Sequence, residues 1–318
     1  MSGPFQKAHV LSAADVAEGV KEIHLRPEGG VVGFDPGSHI DVTVDVGSGS
    51  SSRSYSLIGT PGRDGYVIAV RLDSGGRGGS RFMHGLHPGQ AIGISGPKNN
   101  FHLSYASNEY LLLGGGIGIT PLVGMAQVLL EKKKKFKLVY AGRSLGSMPF
   151  VEQLRDALGQ RLVVHDDTAD GRLNLGDLFK GLTNGSEAYV CGPVTMLEHA
   201  RRVWTEGGRE LHHLRFETFA ASGSKPMQAF SVEVPRLNKS FVVRHDQTLL
   251  EALEQAGAEP LYNCRKGECG LCAVKVLGHS AEIDHRDVFF SDRERKKGEF
   301  LCSCVSRLAG GALTLDLP

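Results

Sequence analysis

Apolar and polar residues alternate with period two along IDVTVDV (40–46) and YVIAVRL (66–72), and more briefly through YSLIG (55–59). Period two is the signature of a strand with one face on a core. Turn-forming Gly and Ser residues separate these segments over roughly the first hundred residues, which predicts a small antiparallel β-barrel. From Tyr110 the pattern changes. An unbroken apolar run, YLLLG, leads into GGGIGITP (114–121), and apolar positions then recur with helical spacing at Leu122, Met125, Ala126 and Leu129 before KLVYAG (137–142). That order predicts a βαβ unit. It continues with a helix over PFVEQLRDAL, strands over RLVVHDD and EAYVCG, a helix over VTMLEHARRVW and a last strand over LHHLRFETF. Strands interleaved with helices predict a parallel sheet covered on both faces.

The segment AASGSKPMQA (220–229) is small and polar and reads as a linker. Beyond it, FSVEV and KSFVVRH predict a hairpin. Thr248 and Glu251 then have the spacing of a capping box, with Leu249, Leu250, Leu253 and Ala256 as the buried stripe of the helix and Gly257 as its stop. The expected organisation is three domains: a barrel over 1–106, an α/β domain over 107–222, a linker at 223–229 and a compact α+β domain over 230–318.

Composition narrows the function. With 318 residues, 41% hydrophobic, 22% charged and a net charge of +1, no basic domain of a nucleic-acid binder emerges. The run at 132–135, KKKK, is expected to cap a helix C-terminus in solvent. The N-terminal MSGPFQKAHV lacks the apolar core of a signal peptide, and no apolar run approaches about 20 residues, so a cytoplasmic location is expected. Of six cysteines, five lie between 264 and 304, which favours a metal or cluster site over a disulfide framework.

Three of those five fall within NCRKGECGLC (263–272), spaced C-x4-C-x2-C at Cys264, Cys269 and Cys272. Zinc sites usually pair two short C-x2-C knuckles. One long loop with a distant fourth cysteine is instead the spacing of a plant-type [2Fe-2S] ferredoxin, and Gly267 and Gly270 let backbone amides approach the sulfurs. The fourth ligand is Cys302 or Cys304. The interval C-x29-C favours Cys302, whereas the context FLCSCVSR and a longer loop at 278–287 favour Cys304, which is the expectation adopted.

GGGIGITP follows a strand and opens a helix, so its amides suit a pyrophosphate. Ala141, Gly142 and Arg143 stand where an acidic ribose ligand would be, so the ordinary dinucleotide fingerprint is not met. RSYS (53–56) and GRGGS (76–80) are each weak alone, since glycine-rich turns with an arginine are common on surfaces. Cys191 precedes Gly192 and a proline at the end of an apolar strand, where a cysteine is ordinarily a small core residue. His212 and His213 lack ligand spacing and are taken as incidental, and His285 and Arg286 as solvated surface.

Together, RSYSL, GRGGS, GGGIGITP, YVCGP, CRKGECGLC, CVSR and LTLDL, in that order, make the chain resemble the phthalate dioxygenase reductase family over essentially its whole length. The resemblance implies an FMN-binding barrel, a pyridine-nucleotide domain and a C-terminal β-grasp-like ferredoxin. It implies that Arg53 meets the flavin phosphate with Gly78, Gly79 and Ser80, that Ser54 lies in the same strand motif, that Tyr55 packs on the isoalloxazine, and that Ser56 bonds near the reactive flavin nitrogen. Gly116, Gly118 and Thr120 would face the nucleotide, Cys191 and Gly192 the nicotinamide, and Phe219 or Phe216 would shield the flavin.

NADH is the implied donor, with Arg143 leaving NADPH open. A hydride carries two electrons and a [2Fe-2S] cluster accepts one, so a flavin between them completes a relay. The resemblance implies a Rieske-type oxygenase as acceptor. A diiron or haem monooxygenase, a non-catalytic redox sensor and a zinc-stabilised module are the competing readings.

Overall fold

The computed structural model describes residues 5–47, 49–62, 64–219 and 225–317. Residues 220–224, which include the first two positions of the expected linker, lie outside the described residues. The chain forms two compact units, Met1–Glu217 and Thr218–Pro318.

The first unit begins with an antiparallel sheet. Its strand order is Ser50–Ser56, Ser38–Asp45, Ala91–Ile94, Gln6–Ala17, Val20–Pro27 and Tyr66–Arg71. The two end strands come back into contact with each other, as in a barrel. Ile40, Val42 and Val44 are fully buried, while Asp41, Thr43 and Asp45 point away from the core, as period two requires. The long strand Gln6–Ala17, paired antiparallel with Val20–Pro27, carries no clean alternation in the sequence. Register shifts between Val10 and Ser12 and between Asp15 and Ala17 explain this, because each bulge flips the alternation. The strand read through YSLIG ends at Ser56; Gly59, at φ +79°, and Pro61 turn the chain out of the sheet.

A parallel sheet completes this unit. Its order is Leu162–Asp166, Lys135–Gly142, Glu109–Gly115, Glu187–Gly192 and Leu214–Thr218. Its centre is apolar on both faces: Leu111, Leu112, Leu113, Val139 and Val190 are almost completely buried. Two short helices, Asp167–Asp170 and Leu175–Lys180, lie between the strands expected over RLVVHDD and EAYVCG, where no helix was expected. Phe179 anchors the second helix edge-on to Trp204, with ring centres 5.1 Å apart.

Helix Thr120–Glu131 approaches the barrel so closely that a Cβ at Gly124 would collide with the carbonyl oxygen of Gly59. The lysine run after this helix is only partly a solvated cap. Lys134 Nζ donates to the carbonyls of Tyr105 and Ser107 at 3.0 and 3.2 Å, and Lys135 pairs with Glu109 at 2.7 Å. Among the described residues no helix is long and apolar enough to cross a membrane.

The second unit holds a mixed sheet ordered Lys239–Val243, Phe230–Val234, Ala312–Asp316, Ala273–His279 and Phe300–Cys302. Phe230–Val234 pairs antiparallel with Lys239–Val243 and parallel with Ala312–Asp316, a β-grasp arrangement. Helix Leu249–Gln255 covers it, burying Leu249, Leu250 and Leu253, each worth about 1.5–3 kcal/mol. Thr248 and Glu251 form both bonds of the capping box. The helix ends at Ala256, and Gly257 follows at φ +69°.

Candidate functional site

The cysteine loop runs directly from helix Leu249–Gln255 to strand Ala273–His279. Cys264, Cys272, Cys302 and Cys304 are buried, whereas Cys269 is exposed. The Sγ atoms of Cys272 and Cys304 lie 3.2 Å apart. Cys304 is also coupled electrostatically to Cys264, and Cys302 to Cys272. Strand pairing explains the difference. Cys302 is opposite Ala273 inside the sheet, while Cys304 lies in the turn beyond it.

The Lys266 amide donates to Cys264 Sγ at 3.4 Å, and the thiols polarise one another: Cys264 and Cys272 are held down, while Cys269, Cys302 and Cys304 are pushed up. The Cys264 thiol is held at about 4, chiefly by its bond with Cys304, against burial and with help from the backbone amides of Lys266, Cys269 and Glu268. Cys272 is held at about 3 by Cys302 and Cys304. Inward-facing amides around clustered sulfurs are what a thiolate-bound iron–sulfur cluster requires, so the residues fit the group. Two glycines make the loop possible. A Cβ at Gly267 would lie 2.9 Å from Asp287 Cα, and one at Gly270 would collide with the ring of Phe289.

His285 and Arg286 differ from expectation. The side chain of His285 is 9% exposed and Arg286 is buried, because Arg286 pairs with Asp284 at 2.6 Å and donates to the Lys225 carbonyl.

In the first unit, strand Ser50–Ser56 carries the RSYS motif. Ser54 Oγ donates to Asp41 at 2.6 Å, and Arg53 donates to Ser51 Oγ and the Ser52 carbonyl. The Arg53 side chain passes over Gly79 so closely that a Cβ there would lie 2.9 Å from its Cγ. Gly78 takes φ +85° at the start of helix Gly79–His84, and Ser80 Oγ accepts from the Asp73 amide at 3.0 Å. Arg53, Gly78 and Gly79 therefore make one cationic, amide-bearing turn, suited to a phosphate. Tyr55 is half-buried against the barrel core. Two residues beyond Tyr55's neighbour Ser54, the buried hydroxyl of Ser56 has no hydrogen-bond partner among the described residues. A buried donor without a partner fits a bound heteroatom.

The parallel sheet reverses its order between Glu109–Gly115 and Glu187–Gly192, the place where open α/β sheets take ligands. Cys191 registers with Gly114, and a Cβ at Gly118 would collide with the Cys191 carbonyl. The glycine loop and the CGP turn thus close on each other. Gly116, at φ +55°, opens a 3-10 turn that precedes the helix, and Thr120 Oγ1 donates to the Ile117 carbonyl at 3.1 Å.

Arg143 is exposed past the end of its strand. Beside it is an acid that the sequence reading missed. Asp166 registers with Gly142 on the neighbouring strand, and bonds from Thr168 and Leu145 hold its carboxyl below the usual range. Only the sheet order makes Asp166 a neighbour of Arg143. Phe216 packs into the sheet core; Phe219 follows the strand, half-buried, in the second unit.

Residues 7–103 match the oxidoreductase FAD-binding domain family, and residues 232–309 match the 2Fe-2S iron-sulfur cluster binding domain family. The chain is 38% identical to the haem-dependent oxidative N-demethylase beta subunit of Ectopseudomonas mendocina (strain ymp), over 90% of each chain. It is 35% identical to the carnitine monooxygenase reductase subunit of Escherichia coli (strain K12), over 89% of each. The solved structure of phthalate dioxygenase reductase, a modular structure for electron transfer from pyridine nucleotides to [2Fe-2S], superposes with a TM-score of 0.82 at 29% identity, over 98% of both chains.

The chain belongs to the phthalate dioxygenase reductase family. In this family's terms the antiparallel sheet is the flavin domain, the parallel sheet is the nucleotide domain and the mixed sheet is the ferredoxin. The chain is an oxidoreductase with a flavin and a [2Fe-2S] cluster, fed by a pyridine nucleotide.

Proposed function

We propose that this reductase draws on NADH, holds FMN in the barrel and delivers single electrons through its ferredoxin domain to a Rieske-type terminal oxygenase. The observation that carries the reading is one polypeptide with a flavin domain, a nucleotide domain and a ferredoxin, alike in order and extent to phthalate dioxygenase reductase.

The bound flavin and cluster supply the conversion of a hydride's electron pair into single electrons. The chain's own residues bind and orient. In this reading Arg53, Gly78, Gly79 and Ser80 hold the flavin phosphate, Tyr55 covers the ring and Ser56 donates to it. Gly116, Gly118 and Thr120 hold the nucleotide diphosphate, with Cys191 and Gly192 beside the nicotinamide. Phe219 is preferred over Phe216 as the flavin's shield, because Phe216 is engaged in the sheet core. Cys264, Cys269, Cys272 and Cys304 are the cluster ligands, a choice supported by the 3.2 Å approach of the Cys304 and Cys272 sulfurs. NADH is preferred because Asp166, ionised beside Arg143, disfavours a 2′-phosphate there.

A haem-containing acceptor is the second reading, favoured by the name of the 38% identical relative. Anaerobic addition of NADH to the purified protein is expected to bleach flavin and cluster absorption together, with about two irons per flavin. Mixing the reductase with purified Rieske, diiron and haem oxygenase components then separates the acceptors. NADH use coupled to substrate oxidation with the haem component alone would overturn the Rieske assignment.

A further inference from the structure

Asp287 has the most completely enclosed carboxylate beside the cysteine cluster, and nothing in the relay described above uses it. Its side chain is 0% exposed. Oδ1 accepts from Ser306 Oγ at 2.9 Å, and Oδ2 accepts from the Phe290 amide at 2.9 Å. His285 Nδ1 lies 3.6 Å from Oδ1, and Arg295 Nε lies 3.9 Å from Oδ2. Arg295 also donates to the Asp287 carbonyl.

These contacts join three segments around the sulfurs. Ser306 is two residues beyond Cys304. Val288 donates its amide to the Gly267 carbonyl at 3.0 Å, inside the cysteine loop. Arg295 comes from helix Asp292–Lys297. The charge is present as well as enclosed: burial opposes ionisation most, yet His285, the Phe290 amide, Ser306 and Arg295 together hold the carboxyl below its usual range. That charge lies against the cysteine loop. Gly267, midway between Cys264 and Cys269, is so close that a Cβ there would lie 2.9 Å from Asp287 Cα and 3.1 Å from its Cβ. Nearby Arg286 is matched to Asp284, so it does not answer this charge.

We infer that Asp287 is a positioning residue that also fixes the cluster's reduction potential: its buried carboxylate holds the potential down, and Arg295 partly offsets it. A fixed negative charge in a water-poor site opposes the arrival of an electron, and a fixed positive charge favours it. The inference rests on the cluster assignment above.

The test is a dye-mediated potential titration of the full-length protein, followed by the EPR signal of the reduced cluster, with iron measured on every sample. Asp287→Asn is expected to keep two irons and shift the reduction equilibrium about tenfold toward the reduced form, which is 59 mV for one electron. Arg295→Gln is expected to shift it the opposite way, and Asp287→Glu to keep the parent's potential. An unmoved potential in an iron-loaded Asp287→Asn, or shifts of the same sign in both charge variants, overturns the inference. If Asp287→Asn does not assemble a cluster, the sign for Arg295→Gln decides: downward supports it, unmoved or upward overturns it. A parent protein without iron would instead sink the cluster assignment itself.

Discussion

Cys302 and Cys304 differ by two positions, one in the strand and one in the turn after it, and that difference has a measurable consequence. Cys304→Ser removes the thiol that meets Cys272 at 3.2 Å, so iron and the brown visible absorption are expected to be lost. Cys302→Ser changes a fully buried strand residue and is expected to keep them; iron analysis of the two variants separates the outcomes. Ser56 is judged in the same way. Ser56→Ala removes a buried hydroxyl without a partner among the described residues, so the fold is expected to survive and flavin content to be retained. Reduction of the flavin by NADH, followed by stopped flow, should slow about tenfold, the cost of one hydrogen bond. Equal rates in parent and variant would remove Ser56 from the site. Single residues of this kind were legible only through their motifs. Asp166 was not legible, because its neighbour Arg143 is more than twenty positions away along the chain and adjacent only across two paired strands.

Elements were legible where one period ran unbroken. The capping box at Thr248 and Glu251 is local chemistry, and the structure has both of its bonds. The bulged strand Gln6–Ala17 was hidden because its register shifts erase the alternation, and the one-turn helices at 167–170 and 175–180 are too short to show a period. At this scale Gly118→Ala is the sharpest probe. The added methyl has no room against the Cys191 carbonyl, so loop and strand end must part. NADH reduction of the flavin is expected to fall on the order of a hundredfold, while flavin content is unchanged.

The start of strand Glu109–Gly115 carries a pH prediction. Burial opposes the charge of Glu109, but Lys135, Thr183 and Ser186 overcome it and hold the carboxyl at about 2, below its ordinary 4.5. A depressed carboxyl stabilises the fold above its unfolded-state value and loses that contribution as pH falls toward the folded one. Melting temperatures of the parent and Glu109→Gln should therefore differ above about pH 4.5 and converge toward pH 2.

At the scale of the whole molecule, the second compact unit has its own sheet, helix and apolar core of Val232, Val234, Leu253, Leu301, Leu313 and Leu315. A fragment over 218–318 is therefore expected to fold and hold iron, and a fragment over 1–217 to keep NADH-dependent reduction of ferricyanide. A fragment 218–318 that stays unfolded by circular dichroism would show that the ferredoxin core depends on the rest of the chain.

The contact of Gly124 with the Gly59 carbonyl leaves helix and barrel separated by backbone alone. Any side chain at position 124 works as a shim of known thickness, wedging the nucleotide side away from the flavin side. A graded set at that one position, Ala, Ser and Val, makes the protein its own ruler for how steeply hydride transfer decays with donor–acceptor spacing.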